Sequence, residues 1–246
     1  MHDSPARPLV AEAIGTFALC FVGILAITVG KLTDQPAGVV SLASIALAHG
    51  LTIAVMVSAL GAISGGHFNP AVTFGFVVTG RMSPVRGAMY WGAQLLGAFV
   101  AGALLVSVFG SKTVGDGTPG LFEGVPTGAG ILLEAVATFF LVLVIFGTAV
   151  DERAPKSVYP FAIGFTVALD IMAIGPLTGA AMNPARAFGP ALASGAWGNH
   201  MVFWVGPLLG GAAAALLQHH FLIGRSPSPA VAERGGPAPE EQRRTH

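Results

Sequence analysis

The chain reads as an all-α membrane protein, with six transmembrane helices plus two re-entrant half-helices arranged as an inverted repeat. Three observations predict this. Hydrophobic residues make up 53% of the chain and charged residues only 10%, with a mean hydropathy of +0.73, whereas soluble domains carry about 25% charged residues. Six apolar stretches approach the roughly 20 residues that a helix needs to cross a bilayer. Finally, two Asn-Pro-Ala triplets, Asn69-Pro70-Ala71 and Asn183-Pro184-Ala185, lie 114 positions apart, each opening an apolar run too short to span.

The first span, Leu9–Val29, is too long for the core of a cleaved signal peptide, contains Glu12, and is followed by further spans. The second, Val39–Leu60, ends shortly before the helix-breaking run Ser64-Gly65-Gly66. Asn69–Val78 then has Asn at an N-cap and Pro at the first helical position, a strong helix start. Gly87–Phe109 is the third span, with the small residues Gly97-Ala98 and Ala101-Gly102 suited to close helix packing. Gly128–Val150 carries Glu134, and Val158–Gly175 runs into a predicted break at Gly175-Pro176 and Gly179. Asn183–Ala193 repeats the half-helix signal, and His200–Ile223 closes the set. Non-helical backbone at membrane depth survives only where it is buried or lines a wet cavity, so both breaks point to a pore.

The halves repeat. Tyr90-Trp91-Gly92-Ala93-Gln94-Leu95-Leu96-Gly97 matches Phe203-Trp204-Val205-Gly206-Pro207-Leu208-Leu209-Gly210, and Glu12 with Thr16-Phe17 parallels Glu134 with Thr138-Phe139. Three spans per copy is an odd number, so the second copy enters from the opposite side. One membrane domain over 1–225 is expected, with repeats at about 9–109 and 128–223 and a disordered cytoplasmic tail over 226–246. Orientation follows from the cations: with the N-terminus inside, the inner segments hold nine Lys and Arg and the outer ones only Lys31, Lys112 and Arg186. Both termini are therefore expected in the cytoplasm.

In such a repeat the half-helices meet N-terminus to N-terminus, and both dipoles place their positive ends at one point. Each Asn carbonyl can cap its own helix, leaving the amide of Asn69 and of Asn183 to donate into the lumen. A neutral solute with an acceptor oxygen is favoured there and a cation is repelled.

The motifs HFNPAVT (67–73) and MNPARAFGPAL (182–192) resemble those of aquaporins, the major intrinsic protein family, and the similarity covers roughly 9–223. The resemblance implies a passive water channel that excludes protons and ions, a homotetramer with one pore per protomer, and no cofactor. It implies a constriction at His49, Ile171, Ala180 and Arg186, a set similar to that of plant vacuolar members. Arg186 is also notable in itself, since a guanidinium in apolar sequence is costly and usually functional. Ile53, one turn below His49, extends the pore face. Backbone carbonyls of Gly65, Gly66, His67 and Phe68, and of Gly179, Ala180, Ala181 and Met182, are expected to form acceptor ladders along the lumen. Glu12 and Glu134 could act as proton relays by their burial alone; the resemblance implies that they brace the re-entrant loops instead. Asp170 is expected to hydrogen-bond near the outer vestibule.

Other classes fit less well. His67 and the adjacent His219-His220 lack further ligands, so no metal site is expected, and no nucleophile, phosphate-loop or zinc motif marks an enzyme. No basic, aromatic nucleic-acid module occurs, and the net charge is zero. An ion-coupled transporter would need a carboxylate or cation site beside Asn69 or Asn183. Glycerol-conducting relatives typically have Asp after the motif arginine, where this chain has Ala187, and Pro near Phe203-Trp204. The less polar His49/Ile171/Ala180 wall keeps ammonia, hydrogen peroxide, urea and glycerol open as alternatives. The expected partners are thus water, small neutral solutes and the lipid bilayer. A predominance of Arg over Lys and a short tail suggest a prokaryotic plasma (inner) membrane.

Overall fold

A computed structural model of the chain describes residues 4–32 and 41–223. The tail expected at 226–246 lies outside the described residues, as do Arg225, Arg234, Arg243 and Arg244. The helices are α1 (Ala6–Leu32), α2 (Leu42–Ser64), α3 (Pro70–Val78), α4 (Pro84–Phe109), α5 (Ser111–Asp116), α6 (Thr127–Ile145), α7 (Tyr159–Thr178), α8 (Pro184–Ser194) and α9 (Val202–Leu217). Two of them, α6 and α9, each run on through one wide turn, Phe146–Val150 and Gln218–Leu222. Six helices (α1, α2, α4, α6, α7 and α9) are long and apolar enough to cross a membrane. Large aliphatic side chains such as Val10, Leu96, Leu132, Leu169 and Leu209 are at least half exposed on them, as lipid-facing positions require.

The two short helices start as their caps dictate. Asn69 Oδ1 accepts from Ala71 N at 2.8 Å, and Asn183 Oδ1 accepts from Ala185 N at 3.0 Å and Arg186 N at 3.3 Å. Two details depart from expectation. Helix α7 does not break at Gly175-Pro176: it continues to Thr178 and ends at Gly179, whose N–H bonds back to Gly175 O at 2.8 Å. Proline removes its own N–H and crowds the carbonyl four residues back, and here the helix runs only two residues past it before the Gly179 cap. The six-residue α5 was not foreseen, because SKTVGD carries no apolar periodicity.

Packing follows the repeat. Helix α1 lies on α4, α6 lies on α9, and α2 pairs with α7 between the halves. Gly97 of α4 abuts the Ala13 carbonyl of α1, and Gly210 of α9 abuts the Ala135 carbonyl of α6. Across the central pair, a Cβ on either Gly50 or Gly164 would strike the carbonyl of the other. Small residues thus bring backbones together where lipid gives no hydrophobic drive. Of the half-helices, α3 packs on α9 and α4, while α8 packs on α4, α5 and α1.

One polar clamp ties the ends of α6 and α9. Arg153 grips Asp151 (Nη2 to Oδ2 2.6 Å) and donates to Leu222 O at 3.2 Å, while Lys156 Nζ donates to Asp151 O at 2.7 Å. Hydrogen bonds from Arg153 hold the Asp151 carboxyl down at about 2. A depressed folded pKa means stabilisation that is complete above the ordinary carboxylate range and is lost as pH falls through about 2. Asp151→Asn is therefore expected to lower the thermal midpoint slightly at neutral pH, with the difference from wild type closing only below about pH 3. A gap that closes by pH 5 would contradict the clamp.

Candidate functional site: a channel between the half-helices

The loops entering α3 and α8 have matching backbones. Gly65 and Gly179 have φ of 93° and 84°, Gly66 and Ala180 of 65° and 43°, and Phe68 and Met182 of 48° and 50°. Left-handed backbone is unfavourable for Phe, Ala and Met, so something must hold it. Glu12 and Glu134 bond to the two loops in parallel. Glu12 accepts from Ser64 Oγ (2.7 Å), His67 N (3.0 Å) and Phe68 N (2.7 Å). Glu134 accepts from Thr178 Oγ1 (2.6 Å), Ala181 N (2.9 Å) and Met182 N (2.7 Å). Ser64 and Thr178 in turn accept from Gly66 N and Ala180 N. Both carboxylates are fully buried and neither borders the cavity that passes the two asparagines.

Sequence reasoning missed Ser64, Thr178 and Gln94. Gln94 Nε2 donates to Glu12 Oε2 at 2.7 Å and to Thr73 Oγ1 at 3.0 Å. Its counterpart in the repeat is Pro207, so this support exists only in the first half. The Ser64/Thr178 signal was available, since each is a hydroxyl residue directly before a glycine and five before the Asn of its repeat.

At the centre the half-helices are cross-bonded. Asn69 Nδ2 donates to Met182 O at 2.8 Å, and Asn183 Nδ2 donates to Phe68 O at 2.8 Å. This corrects the expectation of wholly free amides: one hydrogen of each is spent on the opposite loop, and one remains. The Phe68 and Met182 carbonyls each accept one of these bonds and keep a second lone pair.

A single cavity runs past both asparagines. Its walls include Gly66, His67, Ala181 and Met182 from the loops, Ile53 and Val72, and His49, Ile171, Ala180 and Arg186. Gly65, Phe68 and Gly179 do not line it; Gly179 borders the outer vestibule with Asp116, Thr118, Ile171 and Arg186. At the outer end Arg186 Nη2 lies 3.3 Å from His49 Nε2, and His49 Nδ1 lies 2.8 Å from Ile45 O. A carbonyl can only accept, so Nδ1 carries the hydrogen and Nε2 accepts from the guanidinium. Among the described residues Arg186 Nε and Nη1 are buried with no hydrogen-bond partner. Asp170 is not at the cavity wall, and its buried Oδ2 accepts no hydrogen bond among the described residues, contrary to expectation. Cys20 is buried among apolar side chains of α1, α4 and α8. Among the described residues no cluster of His, Cys, Asp or Glu could hold a metal ion.

The model of the major intrinsic protein family matches residues 2–218. The chain belongs to that family. As a major intrinsic protein it is a membrane channel and not an enzyme. It is 46% identical over 214 residues to aquaporin TIP4-4 of Zea mays, covering 86% of this chain and 84% of that one. It is 47% identical over 229 residues to a probable aquaporin TIP-type of Medicago truncatula, covering 90% and 89%. Probable aquaporin TIP3-2 of Arabidopsis thaliana is 42% identical over 237 residues, covering 90% and 86%. The aquaglyceroporin of Plasmodium falciparum superimposes with a TM-score of 0.75 at 25% identity, over 94% of this chain and all of that one. These plant relatives bear out the resemblance to TIP-type members and lend no support to a prokaryotic plasma membrane.

Proposed function

We propose that this major intrinsic protein conducts water passively in single file while excluding protons and ions. The observation that carries the reading is the cross-bonded pair Asn69/Asn183 on the wall of one cavity whose outer end holds a buried, partly unsatisfied Arg186. The remaining amide hydrogens of Asn69 and Asn183 occupy the oxygen of a central water, which must then give both hydrogens to its neighbours. That orientation, with two helix dipoles aimed at the same point, interrupts a proton wire. Arg186 repels cations, and His49, Ile171 and Ala180 complete the constriction. Carbonyls of Gly66, His67, Ala180 and Ala181 supply acceptors on either side of the central donors. Glu12 and Glu134 serve as braces. A single domain of two inverted repeats carries the pore, and four such protomers form the assembly.

A second reading, conduction of other small neutral solutes, is favoured by the apolar Ile171 and Ala180 beside His49. Stopped-flow light scattering on proteoliposomes distinguishes them, with water, glycerol, urea and ammonia compared. Rapid water flux with little proton conductance is expected; glycerol entering as fast as water would overturn the choice of water.

A further inference from the structure

Several helix glycines in this protein face backbone, and one faces the constriction. At Gly97, Gly189 and Gly210 the nearest atoms to an added Cβ are carbonyl groups of a neighbouring helix, the ordinary signature of close packing. At Gly23, buried on α1, the three nearest atoms all belong to the imidazole of His49: a Cβ would overlap Nε2 and stand 2.6 Å from Cδ2 and 2.9 Å from Cε1. Gly23 lines neither the channel nor the outer vestibule.

The ring has little freedom to yield. His49 is 1% exposed and is tethered through Nδ1 to Ile45 O at 2.8 Å. Arg186 Nη2 lies 3.3 Å from the same Nε2 that a Cβ on Gly23 would overlap. A side chain at position 23 therefore displaces the imidazole, at the expense of its bond to Arg186 or to Ile45.

We propose that Gly23 is a specificity-determining position for this channel: by leaving space behind His49, it sets how far the imidazole stands back from Arg186 and hence the size of neutral solute admitted. This rests on the channel reading above, and it extends the determinants of the constriction to a residue behind its wall.

The test is a double-mutant cycle in proteoliposomes with Gly23→Ala, His49→Ala and the combined variant, reading water and urea permeability per inserted protein. Gly23→Ala is expected to cut urea permeability about fivefold or more, and water less, in the wild-type background. With His49→Ala already present, adding Gly23→Ala is expected to change neither. Unaltered flux in Gly23→Ala, or an equal loss in both backgrounds, overturns the proposal, the second outcome assigning Gly23 to helix packing. Should Gly23→Ala fail to insert, recovery of insertion in the combined variant supports the same contact, and failure of both overturns it. Absence of water flux in the wild-type protein would instead defeat the channel reading, so the two failures are separable.

Discussion

Glu134→Ala is expected to lower stability by about 3–5 kcal/mol and to abolish water conduction. The substitution strands the N–H groups of Ala181 and Met182 and the hydroxyl of Thr178, all of which donate to this carboxylate in a buried loop. Leaving a buried donor unsatisfied costs about 1–3 kcal/mol. The same bonds hold Ala180 and Met182 in left-handed backbone, which costs about 1–3 kcal/mol per residue when it is not otherwise enforced. Against a typical total stability of about 5–15 kcal/mol, the loss is severe. Glu134→Gln is expected to fall between, because its amide keeps one acceptor and turns a second donor toward donors already there. Thermal unfolding in detergent, followed by flux in proteoliposomes, checks both variants. A Glu134→Ala protein as stable as wild type would mean that the loop is held by something else.

Arg186→Val is expected to keep the fold and lose the selectivity. Arg186 is 4% exposed, its guanidinium bonds to His49, and Nε and Nη1 have no partner among the described residues. Removing it widens the outer end, releases His49 Nε2, and withdraws the positive charge that repels cations. Urea and glycerol permeability is expected to rise about tenfold or more, which requires a barrier lower by only about 1.4 kcal/mol. Proton conductance is expected to rise with it, while water flux stays near the wild-type value. Unchanged selectivity would mean that Arg186 does not line the conducting path.

Much of the architecture was legible because it is written in local signals. Asn before Pro marks a helix start whatever surrounds it, and a run of about 20 apolar residues marks a span. The six spans and both half-helices therefore emerge close to their observed limits. The failures are non-local. That α7 crosses Pro176 depends on the cap at Gly179. The cross-bonds from Asn69 and Asn183 depend on two left-handed turns facing each other. Gln94 was overlooked because the repeat pairs it with Pro207, and symmetry says nothing about a residue that breaks it. The hydrogen bond expected of Asp170 near the outer vestibule fails for the same reason: nothing local to the sequence shows that its Oδ2 is buried with no donor among the described residues.

The exchange of amide and carbonyl between Asn69, Met182, Asn183 and Phe68 bears on how the molecule is built. Each re-entrant segment borrows an acceptor from the other, so neither reaches its full complement of bonds on its own. The donors and acceptors of this exchange lie 113 and 115 positions apart, so a polypeptide that stops short of Met182 holds neither bond and lacks one wall of the passage.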